Sequence, residues 1–396
     1  MKKMFLLATS CLFFVACNNP YANVSKELSE TIEKRMDSLE ISRSEEIKKS
    51  IIEAPEEQQE GLAYLYAYMP QADFDTLSVS LIKENVAYAY KAREVFPWAK
   101  DVPEDVFLND VLPYASMDET RENWRPEFFE MLSPVLKNTT DVYAAVDTIN
   151  KVLKDLVKVE YNTKRNKPNQ SPKESMSINM ASCSGLSILL TDALRAVGIP
   201  SRIAGTPMWI TNEGNHNWNE VWINGEWLLI EYYPAPLNDA WFLPRCAAFE
   251  GQDNPDHQVY ATTFKPVSEQ HFPMVWNEED HSIPGVMVTD RYVKLYKQNQ
   301  LAKSEGTQGE VSVVVRGFCK GGNPEVSADR RSIDVIILDE NNDQVAKGQT
   351  RNSNADMNDY LVFNLADNKK YTILFGNQKL EIKTDSQKEN EYNLYF

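Results

Sequence analysis

A cysteine, a histidine and a glutamate are spaced along the sequence as the parts of a nucleophilic site would be. Cys183 stands in the stretch NMASCSGLS, directly before a helical pattern, and His216 and Glu231 lie within NHNWNEVWINGEWLLIEYYP. A thiol at a helix start meets unpaired backbone N–H groups and the positive end of the helix dipole, which favour a thiolate. A histidine and a carboxylate nearby would supply its base and the group that orients the base.

The two runs that carry His216 and Glu231 are predicted to form a hairpin. They are joined by the dipeptide Asn-Gly at 224–225, which is the strongest short hairpin signal. With that dipeptide as the loop, Trp222 pairs with Trp227. His216 and Glu231 then share one face as diagonal neighbours, roughly 7 to 8 Å apart at the backbone.

Glu220 lies on the same predicted face but is a poorer partner for the histidine. It is four residues along the strand from His216, which is about 13 Å at ~3.3 Å per residue. Glu231 is therefore the predicted orienting group.

The element after Cys183 is predicted to be a buried helix. Apolar residues recur at helical spacing, and Gly198 and Pro200 end the run. These apolar residues are Leu186, Leu189, Leu190, Ala193, Leu194 and Val197.

The segments SCSGLSILLTDALRAVGIPSRIAGTPMW, NHNWNEVWINGEWLLIE and LNDAWF resemble the core of the transglutaminase-like superfamily, over roughly residues 110–300. The resemblance implies a papain-like fold. It also implies a Cys at the start of a buried helix, a His in an HxWxEV strand, and an Asp four residues after a Trp. Cys183, His216 and Glu231, four residues after Trp227, match these positions. Glu in place of Asp departs from the pattern and leaves open a weakened or inactive site.

The resemblance implies acyl-thioester chemistry, which crosslinkers, cysteine proteases, deamidases and peptide N-glycanases share. We expect thiolate attack by Cys183, proton transfer by His216 and orientation by Glu231. The Cys183 N–H and a second donor, for which Asn179 is a candidate, would hold the oxyanion. No amine-binding pocket is readable in the sequence, so hydrolysis is favoured over crosslinking. The alternatives are a binding or scaffold lipoprotein with a decayed site and an amine-accepting protein crosslinker.

Aromatic residues near the motifs are candidates for a substrate groove. Trp209, Trp218 and Trp241 could line a cleft for a peptide, protein or glycopeptide, although such spacing is also typical of core residues. We expect no cofactor and no metal, because the other histidines have no ligand spacing and neither CxxC nor HExxH occurs.

Length, charge and pattern define the class of protein. A chain of 396 residues predicts two or three domains, and a net charge of -17 argues against a nucleic-acid partner. We predict an α+β fold, in which a papain-like, transglutaminase-like core with a helical N-terminal region is followed by a small all-β sandwich. The predicted domains are a signal peptide at 1–16, an acidic, solvated helical leader at 17–60, the transglutaminase-like domain at 61–305 and the sandwich at 306–396.

The first residues have the pattern of an export signal. Lysines at 2–3 precede an apolar segment at 4–15 that is too short to span a bilayer. The stretch FVAC at 14–17 resembles a bacterial lipobox, which implies cleavage before Cys17 and lipid attachment to it. We therefore expect a lipid-anchored protein of the bacterial cell envelope, either periplasmic or in the outer membrane.

The cysteines that remain after processing are odd in number. They are Cys183, Cys246 and Cys319. In an oxidising compartment at least one of three thiols has no partner within the chain. Cys246 and Cys319 are expected to be buried apolar residues or one structural bridge.

The lipobox predicts the behaviour of the Cys17→Ala variant. This variant should leave the membrane fraction and lose metabolic labelling with palmitate, because it lacks the thiol that carries the lipid. Fractionation and labelling of both proteins measure this. An unlabelled native protein would contradict the lipobox.

Overall fold

A computed structural model gives the structure of residues 21–210, 214–305, 309–324, 326–355, 360–386 and 390–396. The predicted signal peptide and Cys17 lie outside these described residues. The chain divides into two compact units, Met1–Ala67 and Tyr68–Phe396. The domain boundaries predicted after residues 60 and 305 stay predictions.

The first unit is helical in its described part. Helices α1, α2 and α3 are Lys26–Met36, Ile41–Ile52 and Glu56–Tyr68. Leu28, Ile32 and Met36 form an apolar stripe along α1, and all three are buried. Arg35 ties α1 to the end of α3, because its Nη1 donates to the main-chain oxygen of Tyr66 at 2.9 Å. The stripe is thus packed inside a folded unit rather than solvated.

The second unit begins with helices and continues with mixed structure. Its helices are α4 Gln71–Thr76, α5 Val79–Val95, α6 Pro97–Lys100, α7 Glu104–Asp110, α8 Arg125–Leu136, α9 Val142–Val157, α10 Pro172–Ile178, α11 Cys183–Ala196, α12 Leu243–Ala247 and α13 Thr289–Glu305. Short 3-10 turns are Pro255–His257 and Ser327–Asp329.

The strands described in the second unit form four sheets. They are β1 Glu160–Tyr161, β2 Met180–Ala181, β3 Ser201–Thr206, β4 His216–Ile223, β5 Glu226–Ile230, β6 Tyr260–Thr262, β7 Gly285–Met287, β8 Glu310–Phe318, β9 Asp334–Leu338, β10 Gln344–Gln349, β11 Leu361–Ala366, β12 Lys370–Phe375, β13 Gln378–Lys383 and β14 Asn390–Tyr395. β1 and β2 pair by themselves, and β3 to β7 form an antiparallel sheet in the order β5-β4-β3-β6-β7.

Helix α11 is the centre of the second unit. It begins at Cys183 as predicted, and every residue from Ser184 to Ala196 is buried. The predicted apolar face explains the burial of one side of the helix only. The opposite side is buried as well, because α8, α9, β3 and β4 pack around the helix.

The predicted hairpin is confirmed in its register. Trp222 pairs with Trp227 and Asn219 pairs with Ile230. Asn224 has φ 52° and Gly225 has φ 95°, and a type I′ turn needs a positive φ at both positions. The local turn chemistry therefore sets which residues of β4 and β5 stand opposite each other.

The C-terminal strands form a small β-sandwich, as the sequence predicts. One sheet has the order β10-β9-β12-β13 and the other has the order β11-β8-β14, in which β14 runs parallel to β8. The two sheets enclose a core of their own that includes Val313, Ile337 and Ile373. The sequence of strand β10, QVAKGQ, is mostly exposed and lacks the apolar alternation that is typical of a half-buried strand.

The predicted α+β class is confirmed by these helices and separate, mainly antiparallel sheets. Within the described part of the chain, no helix has both the length and the apolar character needed to cross a bilayer.

The sandwich core predicts independent folding. A fragment of residues 309–396 should melt cooperatively and lack activity, because its buried apolar side chains are supplied from within the fragment. Circular dichroism against temperature measures the transition. As a control, Ile337→Asp should abolish cooperative melting by placing a charge at a fully buried position. A native fragment without a transition would make this segment part of the larger domain.

Candidate active site

Cys183 is the first residue of α11 and is partly exposed. The preceding residue, Ser182, caps the helix, and its hydroxyl accepts from the Gly185 N–H at 2.9 Å. Among the described residues, none accepts a hydrogen bond from the N–H of Cys183. The thiol therefore lies beside an available donor at the positive end of a buried helix.

His216 begins strand β4 and its side chain is almost fully buried. Its Nε2 lies 2.9 Å from Oε1 of Glu231. The other ring nitrogen, Nδ1, has no partner in full hydrogen-bond geometry among the described residues. Besides Glu231, Cys183 is the polar group that acts on the ring. The imidazole thus stands between the thiol and the carboxylate.

The surroundings of His216 favour its charged form. Burial alone would lower the pKa of His216, but the neighbouring Cys183 and the hydrogen-bonded carboxylate of Glu231 raise that pKa from 6.5 to about 10. The charged, imidazolium form of His216 is therefore the form that this arrangement stabilises.

Glu231 directly follows β5, and its side chain is 19% exposed. Its main-chain oxygen accepts from Nδ2 of Asn150, a buried residue of α9, at 2.7 Å. The same amide reaches the main-chain oxygen of Tyr232 at 3.4 Å. Sequence reasoning missed Asn150, because a single polar residue within an apolar helical pattern gave no signal of a distant partner.

A second amide fixes the strand that carries His216. Asn219 of β4 is fully buried, and its Nδ2 donates to the main-chain oxygen of Ser187 and to Oγ1 of Thr191, both at 2.8 Å. Both acceptors belong to α11. This contact therefore holds β4 against the helix that carries Cys183, and sequence reasoning missed it as well.

The imidazole of His216 is surrounded by aromatic rings. Its centroid lies 5.1 Å from that of Phe242, 5.4 Å from that of Trp241 and 5.7 Å from that of Trp218. Trp218 is buried, and its Nε1 donates to the hydroxyl of Tyr292 at 2.6 Å. These rings limit the access of water to the histidine.

The three predicted groove tryptophans have different places. Trp241 and Trp218 line the cleft at Cys183. The prediction for Trp209 is corrected, because this residue does not line the cleft. It is 1% exposed and stacks on Phe249 in an apolar core, with ring centroids 5.8 Å apart.

Asn179, the candidate oxyanion donor, caps the end of α10, is exposed and lies outside the residues that line the cleft. Its role stays a prediction.

Glu220 is buried in an ion-pair cluster of its own. It pairs with Arg202 at 2.8 Å and with Arg291, and it accepts from the hydroxyl of Tyr292 at 2.9 Å. Burial alone would raise the pKa of Glu220, but the two guanidinium groups hold it below its usual range. Glu220 therefore joins β3, β4 and α13 and does not contact the histidine.

The cleft beside Cys183 has a volume of about 620 Å³, a size typical of small-ligand sites. Its lining includes Cys183, His216, Asn217, Trp218, Glu231, Trp241, Tyr161, Asn162, Ser332, Gln349, Thr350, Arg351, Asn352 and Asn354. Cys246 is buried and Cys319 is partly exposed, and neither forms a disulfide. In the described ranges, no three His, Cys, Asp or Glu side chains are grouped as metal ligands would be.

Residues 130–232 match the family model described as the transglutaminase-like superfamily. The resemblance predicted from the sequence is confirmed over this segment. It contains Cys183, His216 and Glu231, and it ends one residue after the glutamate. The superfamily includes cysteine-dependent acyltransferases and proteases. No curated protein matches the sequence.

Two solved structures are similar to parts of the chain. One is a candidate cysteine protease from Cytophaga hutchinsonii, with 17% identity and a TM-score of 0.27, and the match covers 35% of this chain and 47% of that one. The other is red sea bream transglutaminase, with 11% identity and a TM-score of 0.28, over 66% of this chain and 58% of that one. The chain thus spans about half the length of these two relatives.

The contact between Cys183 and a charged His216 predicts a reactive thiol. At pH 6, iodoacetamide should alkylate Cys183 about tenfold or more faster than it alkylates glutathione, because a free thiol titrates near pH 8.5 and is almost entirely protonated there. His216→Ala should remove most of this advantage. Mass spectrometry of the labelled peptide measures the rate.

The Cys183→Ala variant is the control, because it retains Cys246 and Cys319 and reports their labelling alone. Equal rates for Cys183 and glutathione at pH 6 would contradict the ion pair and would favour a decayed site.

Proposed function

We propose that the protein is a hydrolase that cleaves a peptide or carboxamide bond by cysteine-dependent acyl transfer. Cys183 is the nucleophile, His216 transfers protons and Glu231 orients the histidine. The observation that carries this proposal is the position of the buried His216 ring, which contacts Glu231 through Nε2 and leaves Nδ1 for the thiol.

Acylation begins with the thiolate of Cys183. Its sulfur forms a bond to the carbonyl carbon of the substrate, and the carbonyl electron pair moves to oxygen. The N–H of Cys183 is available to stabilise this oxyanion. When the intermediate collapses, the C–N bond breaks and the amine leaves with the proton of the His216 imidazolium, so that a thioester remains.

Deacylation returns the site to its first state. The neutral imidazole of His216 takes a proton from water as the water oxygen attacks the thioester carbon. The C–S bond then breaks, the carboxylic acid leaves and the thiolate–imidazolium pair is restored. An amine in place of water would give a crosslink. We favour water as the acceptor, because polar residues such as Asn162, Asn217 and Asn352 line the cleft opposite the aromatic rings and no group that would select an amine is evident among them.

The glutamate in place of the usual aspartate is compatible with this role. Its extra methylene extends from a residue just beyond β5, and Oε1 reaches Nε2 within normal hydrogen-bond distance. Main-chain anchoring by Asn150 limits the freedom of this segment. The longer side chain therefore presents its carboxylate to the histidine from a fixed backbone.

The partners and location are part of the same proposal. The substrate is a peptide, a protein or a glycopeptide, and the chain is anchored by lipid at Cys17 to a membrane of the bacterial envelope. The lipobox and the polar and aromatic lining of the cleft support these assignments.

The Glu231→Gln variant tests the triad. Turnover should fall by roughly 10² to 10⁴, because the amide cannot stabilise the imidazolium as a carboxylate does. Loss of the negative charge lowers the pKa of His216. The imidazolium, which gives its proton to the leaving amine, should therefore deprotonate at a lower pH than in the native protein. The high-pH limb of kcat/KM, expected near pH 10 in the native protein, should therefore move to lower pH. Release of amine from a peptide or glutamine-carboxamide substrate measures both.

Glu220→Gln is the matched control, since it makes the same change on the strand that carries His216. It should lower the melting temperature by weakening the ion pairs with Arg202 and Arg291 and should leave the pH limb in place. Glu231→Asp should restore part of the turnover. A silent Glu231→Gln together with a crippling Glu220→Gln in folded protein would refute the assignment.

A further inference from the structure

The cleft at Cys183 is not built from the transglutaminase-like segment alone. One side is formed by residues of the C-terminal sandwich, which begin at the last residue of β10 and continue into the loop after it. These residues are Gln349, Thr350, Arg351, Asn352, Asn354 and Ala355. The sandwich therefore contributes surface to the same cavity as the thiol and the imidazole.

Specific contacts hold this segment in place. The main-chain oxygen of Asn354 accepts from the N–H of Thr163 at 3.4 Å, and Thr163 lies in the loop that follows β1. Within the segment, Oδ1 of Asn352 accepts from the N–H of Asn354 at 2.9 Å and shapes a turn. The backbone of the segment is thus anchored while the side chain of Asn354 stays exposed.

A buried tyrosine of the sandwich contacts the aromatic wall of the site. Tyr360 packs edge-on against Trp241 with ring centroids 5.6 Å apart, and Trp241 lies 5.4 Å from the ring of His216. The hydroxyl of Tyr360 accepts from Arg245 at 3.3 Å, and the guanidinium of Arg316 lies 5.2 Å from its ring. These contacts connect the sandwich to Trp241 on the cleft wall.

We infer that the segment 349–355, named here the sandwich wall, is a substrate-binding subsite for an extended polypeptide. The inference rests on the proposed function, and it gives the C-terminal domain a part in choosing the substrate. The sandwich wall presents the exposed amides of Asn352 and Asn354 to the cleft. Thr350 is buried instead, and its hydroxyl bonds to the main chain of Arg331 and Ile333. Asparagine and glutamine amides can each donate and accept, which matches the alternating N–H and C=O groups of a peptide backbone.

The inference predicts that peptide length speeds the reaction of Cys183. The probe is a pool of cysteine-free hexapeptides with an N-terminal iodoacetyl group, which forms a thioether with the thiolate and releases iodide. The pool should label Cys183 faster than iodoacetamide does, because contacts with the sandwich wall hold the peptide beside the thiol. The measured quantity is the ratio of the two second-order labelling rates.

Variants of the sandwich wall locate the effect. Asn354→Ala and Arg351→Ala should each lower that ratio about three- to tenfold, the range expected for one or two lost hydrogen bonds. The matched control is Asn377→Ala, the same change at an exposed turn between β12 and β13. It should keep the native ratio.

The outcomes separate this inference from the proposed function. Slow labelling of Cys183 by iodoacetamide itself at pH 6 would refute the reactive site. Fast iodoacetamide labelling without a peptide advantage, or with an advantage that both wall variants retain, would refute the subsite alone. If iodoacetyl-glucosamine, and not the peptide pool, gained a rate advantage that Asn354→Ala removed, the wall would bind sugar instead of polypeptide.

Discussion

The complete burial of helix α11 is the constraint on which the site depends. A helix buried on every side has one position, and residues at both ends fix it. Near its C-terminal end, Arg195 donates to the main-chain oxygens of Asp110 and Ser201, and Arg125 donates to the main-chain oxygen of Arg195. Cys183 is the first residue of the same helix, so its backbone position is fixed by the packing of the helix, and the residue is still partly exposed. In the proposed reaction this fixed position would place the thiol for attack before the substrate binds.

The two carboxylates nearest the histidine in sequence have different functions because their surroundings differ. Glu220 is buried between two arginines, and its charge is used to join β3, β4 and α13. Glu231 lies at the edge of the cleft and contacts the imidazole, so its charge acts on the pKa of His216 instead. In a buried setting such interactions are strengthened by the low dielectric constant. Glu220 thus stabilises the fold, whereas Glu231 takes part in the proposed chemistry.

The aromatic cluster joins the parts of the second unit that surround the site. Trp241 contacts His216 on one side and Tyr360 of the sandwich on the other. A displacement of the sandwich would therefore reach the wall of the cleft through packed rings, which deform little. This arrangement gives a physical reason for a C-terminal β-domain to accompany the transglutaminase-like segment.

The sequence by itself determined the features that arise from neighbouring residues. Apolar spacing predicted α11, Asn-Gly fixed the register of β4 and β5, and the motifs identified Cys183, His216 and Glu231 as one group. Only the tertiary structure decided which polar groups meet across distant segments: Asn150 with Glu231, Asn219 with α11, and the sandwich wall with the cleft. The structure also shows that Trp209 lies in the core and that Glu220 lies in an ion-pair cluster. Helical periodicity and turn chemistry act over a few neighbouring residues, so the sequence predicts them directly. Burial and polar pairing depend on which elements pack together, and a local sequence pattern does not specify that packing.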